Sequence, residues 1–292
     1  MNHYFRPATP LLRFSAVKAI FILLCLSFFF MCVLGIVSNL LTSPHSTRIM
    51  RVLSVVQDVM VFVLPAAIMA VIASPVPGRI LEIDRRPPIM WVLTGIIALL
   101  TSMPALNFIV EWNESLTLPA SLHWMKEAEM VAQKSVEILM GGTSVADLIM
   151  NILIIGVLAG VSEEIFFRGA IMGCLMQTRL NKHIAIWLTG IIFSLFHMQI
   201  FGFVPRMILG AYFGYLTWWT GSIWVAASVH VFNNSLIVIA EWLTKSGIIT
   251  YDINHAGSSN FMLIVGSVIL TGGIIRASLK HLGKTTDADN AD

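Results

Sequence analysis

Apolar residues run through this chain in long, nearly unbroken blocks, and polar residues collect in short segments between them. A block of about twenty apolar residues is long enough to cross a bilayer as a helix. On that criterion eight spans are drawn, over residues 19–41, 52–73, 89–110, 145–176, 184–199, 205–220, 222–243 and 261–275. The fifth, sixth and eighth are short and are expected to tilt less or to span only in part. The predicted fold class is all-α: a polytopic transmembrane helix bundle of about eight spans. The long connection over 111–144 has a pattern of its own. Leu122, Met125, Ala128, Met130, Val131, Val136 and Leu139 fall roughly on one side of a helix, against Lys126, Glu127, Glu129, Gln133, Lys134 and Glu137. That pattern predicts an amphipathic helix on the outer membrane surface; a helix packed over the outer loops fits it equally well.

Composition supports the bilayer. Of 292 residues, 57% are hydrophobic and 12% charged, where a soluble domain carries about 25% charged residues. The net charge of +2, without a basic run, gives no surface for nucleic acid. Cys25, Cys32 and Cys174 are odd in number, lie in apolar segments and lack CxxC spacing, which argues against a disulfide framework or a cysteine metal site. Arg6, Arg13 and Lys18 precede the first apolar run like the basic end of a signal peptide. That run, to Leu41, is longer than the 7–15 or so residues of such a segment, and no A-x-A-like cleavage site follows, so it reads as a retained span. The acids Asp287, Asp289 and Asp292 make a short solvated tail. Eleven of the 18 Lys and Arg fall in the loops that are cytoplasmic if both termini are, and six in the opposite loops. This excess favours both termini in the cytoplasm.

Ionisable groups inside a span are costly, and each is a functional hypothesis by default. They concentrate in the second half of the chain. Glu163 and Glu164 stand together in the fourth span, with Arg168 four residues after Glu164, where the two can pair on one helix face. Such a pair occupies one carboxylate and leaves Glu163 for other work. His197 ends the Phe193-Ser194-Leu195-Phe196-His197 run in the fifth span. His230 and Asn234 are four apart in the seventh and share a face. A buried ion network, or a histidine satisfied within the core, is the bland reading of each alone. Taken together they put two carboxylates, two imidazoles and a carboxamide on three helices, a set that can activate water, bind a metal or relay protons. Peptide hydrolysis needs a base for water, oxyanion donors and a proton route, roles that Glu, His and Asn can supply. Glu163, His197 and His230 also match a catalytic zinc set with an open water position, and spacing does not choose between the two. No H-E-x-x-H helix is present. Asp58, about two turns inside the second span, has no role that its position dictates. Gly210 and Gly214 form a small-xxx-small pair for close helix approach, and Thr220-Gly221-Ser222 makes a tight turn into the His230 helix.

At these residues the chain resembles the CPBP family of intramembrane peptidases, which includes the type II CAAX prenyl endopeptidases and Abi or bacteriocin-immunity proteins. The family pattern EExxxR, FxxxH, HxxxN reads here as Glu163-Glu164-xxx-Arg168, Phe193-xxx-His197 and His230-xxx-Asn234, in order and without departure, and the Thr220–Trp224 run leading into His230 is also similar to family members. The resemblance covers 145–243. It divides one membrane domain into 1–144 (three spans and the outer helix), a catalytic core over 145–243, and 244–292 (last span and tail). What it implies is an endopeptidase in the bilayer, expected in a bacterial cytoplasmic membrane and acting on a membrane-associated peptide or protein. Glu163 and His197 would activate water, His230 and Asn234 would stabilise the oxyanion, and Glu164 and Arg168 would support them, Glu164 sharing the acid–base role. The family has been described both as metallopeptidases and as glutamate peptidases, so Zn2+ stays an open cofactor. Two other functions use the same residues: a non-catalytic peptide-binding or immunity protein, and a proton-coupled transporter, for which broken helices or repeats would be expected. Substrate and oligomeric state are not encoded in these motifs.

Overall fold

The computed structural model describes residues 12–40, 46–250 and 256–289. Arg6, Leu41 and Asp292 lie outside the described residues, as do the side chains of Asp287 and Asp289. Every described element is helical. In chain order the principal ones are α1 (Ala16–Leu40), α2 (Thr47–Ala73), the short α3 (Pro77–Ile80), α4 (Ile89–Glu114), α5 (His123–Leu139), α6 (Val145–Met176), α7 (Lys182–Phe196), α8 (Phe203–Thr220), α9 (Ile223–Lys245) and α10 (Phe261–Asp289). Six of these, α1, α2, α4, α6, α9 and α10, are long and apolar enough to cross a membrane. The other two expected spans are helices as well, α7 apolar but short, α8 carrying Arg206 near its start. The chain is an integral, multi-pass membrane protein. Where the expected boundaries fell short, a cap explains the extension: Ser46 accepts from the Ile49 amide to start α2, and Asn181 from the His183 amide to start α7.

Burial orders the bundle from rim to centre. The apolar stretches of α1 and α10 are 11% and 6% buried, against 44% for α9. Phe21, Phe28 and Ile36 on α1 and Phe261, Met262 and Ile269 on α10 are exposed apolar side chains, the outward face a bilayer would cover. Inside, one apolar cluster joins α1, α2, α6 and α7 through Leu23, Met69, Phe166, Phe167 and Phe193. A second joins α4, α8 and α9 through Trp91, Leu99, Phe213, Leu216 and Val229.

Two spans depart from plain α-helix. In α2 the residues Asp58–Val63 are π-wound, and Pro65, two residues beyond, has no N–H to bond the carbonyl one turn back. In α6 two π stretches, Ile152–Ala159 and Ile165–Met172, flank the single α-helical turn Gly160–Glu164. Such π turns often occur at functional sites, and here they bracket both glutamates.

Candidate active site

Two helix crossings build the site. At the first, α6 meets α9 through glycines. A Cβ on Gly160 would stand 3.2 Å from the Val231 amide nitrogen and 3.3 Å from its Cα, and one on Gly156 would meet the Ser235 hydroxyl. Without side chains at these two points the helices approach closely, and Glu163 and Glu164 come level with His230. At the second crossing, α7 meets α8: a Cβ on Gly190 would fall 2.8 Å from the Met207 carbonyl oxygen, and one on Gly210 would fall 3.0 Å from the Gly190 Cα. The Gly210–Gly214 pair is therefore used against α7. The turn into α9 has the left-handed Gly221 (φ 64°) closing α8, and Ser222 caps α9 by accepting from the Trp224 amide.

The adjacent glutamates have different surroundings. The Glu164 side chain is 0% exposed, and its Oε1 accepts from Arg168 at 2.7 Å and from His230 Nδ1 at 2.8 Å. Arg168, also 0% exposed, donates a second bond to the Gly210 carbonyl at 2.8 Å. Its guanidinium lies over the rings of Phe193 and Phe213, 4.8 and 5.4 Å from their centroids. An arginine wholly inside a membrane bundle is tolerable only with charge and hydrogen-bond partners of this kind. Glu163, by contrast, makes no hydrogen bond among the described residues, and its side chain keeps 12% exposure. Its Oε2 stands 3.8 Å from His230 Nε2.

Both histidines are oriented through Nδ1. A carboxylate and a carbonyl can only accept, so His230 Nδ1 donates to Glu164 and His197 Nδ1 donates to the Phe193 carbonyl at 2.9 Å. In the neutral ring each Nε2 then carries the lone pair. The His230 ring stacks on Phe213, centroids 4.7 Å apart, and the His197 ring meets Phe193 edge to face. His197 lies just past the last residue of α7, not within the span, and the next residue, Met198, is left-handed (φ 50°). His197 and Glu163 are within electrostatic reach of each other. Asn234 reaches α6 from α9, donating to the Ile155 carbonyl at 3.2 Å, inside the first π stretch. Its amide has a second hydrogen to offer.

Residues 145–236 match the family of type II CAAX prenyl endopeptidases described as Rce1-like. The match runs from the start of α6 into α9 and contains every motif residue named above. It agrees with the resemblance to the CPBP peptidases, and at the level of the family it supports a CAAX-type intramembrane protease. No curated protein and no solved structure matches the chain.

Two further groups adjoin these residues. Asp58 is 4% exposed, with Oδ2 lacking a hydrogen-bond partner, and interacts electrostatically with Glu163. Its segment of α2 packs on the Gly160–Glu164 turn. The Gly156-xxx-Gly160 pair was not singled out from sequence, although its spacing equals that of Gly210 and Gly214; in an apolar span that spacing was the available signal. Among the described residues, no three His, Cys, Asp or Glu side chains form a group arranged to hold a metal ion.

Proposed function

We propose that the chain is an intramembrane endopeptidase that hydrolyses a peptide bond of a membrane-associated protein or peptide, with Glu163 and His197 activating the attacking water. The observation that carries this reading is the division of labour between the neighbouring glutamates. Glu164 is consumed by Arg168 and His230, while Glu163 is left without a hydrogen bond among the described residues, 3.8 Å from the His230 ring and within electrostatic reach of His197. A carboxylate so placed can accept a proton from water as the water oxygen attacks the scissile carbonyl carbon. The carbonyl becomes an oxyanion, for which His230 Nε2, when protonated, and the second amide hydrogen of Asn234 are donors. The proton held by Glu163 then passes to the leaving nitrogen as the C–N bond breaks, giving a carboxylic acid and an amine and leaving Glu163 as the carboxylate.

Glu164 acts on His230 as a carboxylate acts on the imidazole of a hydrolytic triad. It fixes the tautomer and the orientation of the ring through Nδ1. Arg168 holds the Glu164 carboxyl in place through its bond to Oε1.

Hydrolysis of peptides by the purified protein in detergent, wild type beside Glu163→Gln and His230→Ala, tests the reading, with metal content measured on the same samples. Cleavage that both substitutions abolish is the expected result. Stoichiometric zinc lost with His230→Ala would move the chemistry to a metal-bound water. No cleavage of any peptide, together with a cellular phenotype that survives Glu163→Gln, would favour the peptide-binding or immunity alternative.

A further inference from the structure

We propose that Glu129, on the surface helix α5, is a positioning residue that sets His197 for catalysis by holding the loop that follows it; the catalytic part of this statement rests on the peptidase reading. The polar face of α5 is exposed at Lys126, Glu127, Gln133, Lys134 and Glu137, but Glu129 is half-buried. The pattern in the sequence placed it on the polar side; the structure turns it inward, in register with Met125, Ala132 and Ser135. Its Oε2 accepts two consecutive backbone amides, from Ile200 at 3.0 Å and Phe201 at 3.2 Å. A carboxylate oxygen shared by two amides is a strong, charge-assisted anchor.

The anchored segment has bonds of its own, from the Ser194 hydroxyl to the Phe203 carbonyl at 2.7 Å, from the Met198 amide to the Leu195 carbonyl and from the Phe203 amide to the Ile200 carbonyl, but these tie it only to α7 and to itself. It joins α7 to α8 and begins at His197, whose ring makes its one hydrogen bond among the described residues to the helix that it terminates. Gly202, which precedes α8, has no side chain for a cap, and Asn113 of α4 fills that place from a distance. Its Oδ1 accepts from the Val204 amide at 2.8 Å, and its Nδ2 donates to the Ile200 carbonyl at 3.0 Å. Glu129 and Asn113 thus grip the same peptide unit at Ile200 from two different elements, three residues beyond His197. Glu129 is also the foremost electrostatic partner of Arg206, which bonds Gln199 of the same loop and is within reach of Glu163. The geometry of the general base pair therefore depends on a side chain outside the segment that matches the peptidase family.

The test uses the full-length chain in detergent, with two readouts. One is the 15N spectrum of the histidine rings, the His197 signals being identified by their loss in His197→Gln; the other is the split of kcat from KM on a cleaved peptide. Glu129→Ala is expected to replace the single Nδ1–H form of His197 by an averaged one. It should lower kcat about 10–100-fold, as a misplacement of about 1 Å can, with KM within about twofold. Glu129→Gln keeps an acceptor and should restore both. Glu129→Asp, too short to reach the loop, is the second variant should the alanine form not fold. A wild-type His197 signal in both the Ala and Asp variants overturns the proposal, whatever the rate. So does failure of Gln to restore it, which would assign the effect to charge beside Arg206. If the wild type cleaves nothing, the peptidase reading fails while the ring signals still decide whether Glu129 positions His197.

Discussion

The two halves of the site are held in different ways. Glu163, Glu164, Arg168, His230 and Asn234 lie in the interior of α6 and α9, where close glycine-mediated packing brings the helices together and hydrogen bonds between side chains set the rings. His197 lies at a helix end, and its surroundings are fixed from outside by Asn113 and Glu129. The first half is a packed core whose parts hold one another. The second is a loop whose position depends on groups from elsewhere in the chain, and loops are the less stable parts of a fold. Perturbing the first half should therefore cost stability as well as activity, and perturbing the second should cost activity first.

The largest effect is expected at Arg168. Its replacement by alanine leaves the wholly buried Glu164 carboxylate without its cation, and breaking such a pair typically costs about 3–5 kcal/mol. Thermal unfolding in detergent should show it as a large fall in Tm, with activity lost too. Next comes Gly160→Ala. Its Cβ would press on backbone atoms of Val231, which cannot rotate away, so α6 and α9 must separate at a cost of about 1–3 kcal/mol. Gly156→Ala meets mainly the Ser235 hydroxyl, which can rotate, and should be mild. Equal penalties at the two glycines would contradict the account of the crossing.

The smallest effect lies away from both halves, at Glu82 in the connection between α2 and α4. Burial of its carboxyl is the main cause that raises its pKa from 4.5 to about 8; Arg85 opposes the rise and Asp84 adds to it. The folded chain thus binds this proton more tightly than the unfolded one. The contribution is fully present below about pH 4.5 and is lost as pH rises towards 8. Glu82→Gln should remove that dependence, giving a Tm above wild type at pH 8 and close to it at the lower end of the window, by on the order of a few °C. A wild-type Tm that is flat across the window would sink the prediction.

Much of this was legible in the sequence, because spans announce themselves by length and because spacing four apart is local information. The Glu164–Arg168 pair and the shared face of His230 and Asn234 follow from helix geometry alone, and the structure directs all four towards the α6 crossings. Less of the second half could be read. Glu129 sits on the edge of an amphipathic pattern, where a few tens of degrees decide between solvent and protein. Its partners, two backbone amides some seventy residues away, leave no trace in the local sequence. The π winding of α6 was not foreseen either, since no proline marks it. Asp58 was noticed as a buried acid, but its proximity to Glu163 is purely tertiary.

The central claim is that two adjacent glutamates do different work, and the most direct measurement is the rate of peptide cleavage by Glu163→Gln at saturating substrate beside wild type. The account predicts a loss of at least about 10²-fold, the lower range for a general base, with Tm and the His230–Glu164 contact unchanged. A Glu163→Gln protein that folds normally and cleaves at the wild-type rate would contradict it.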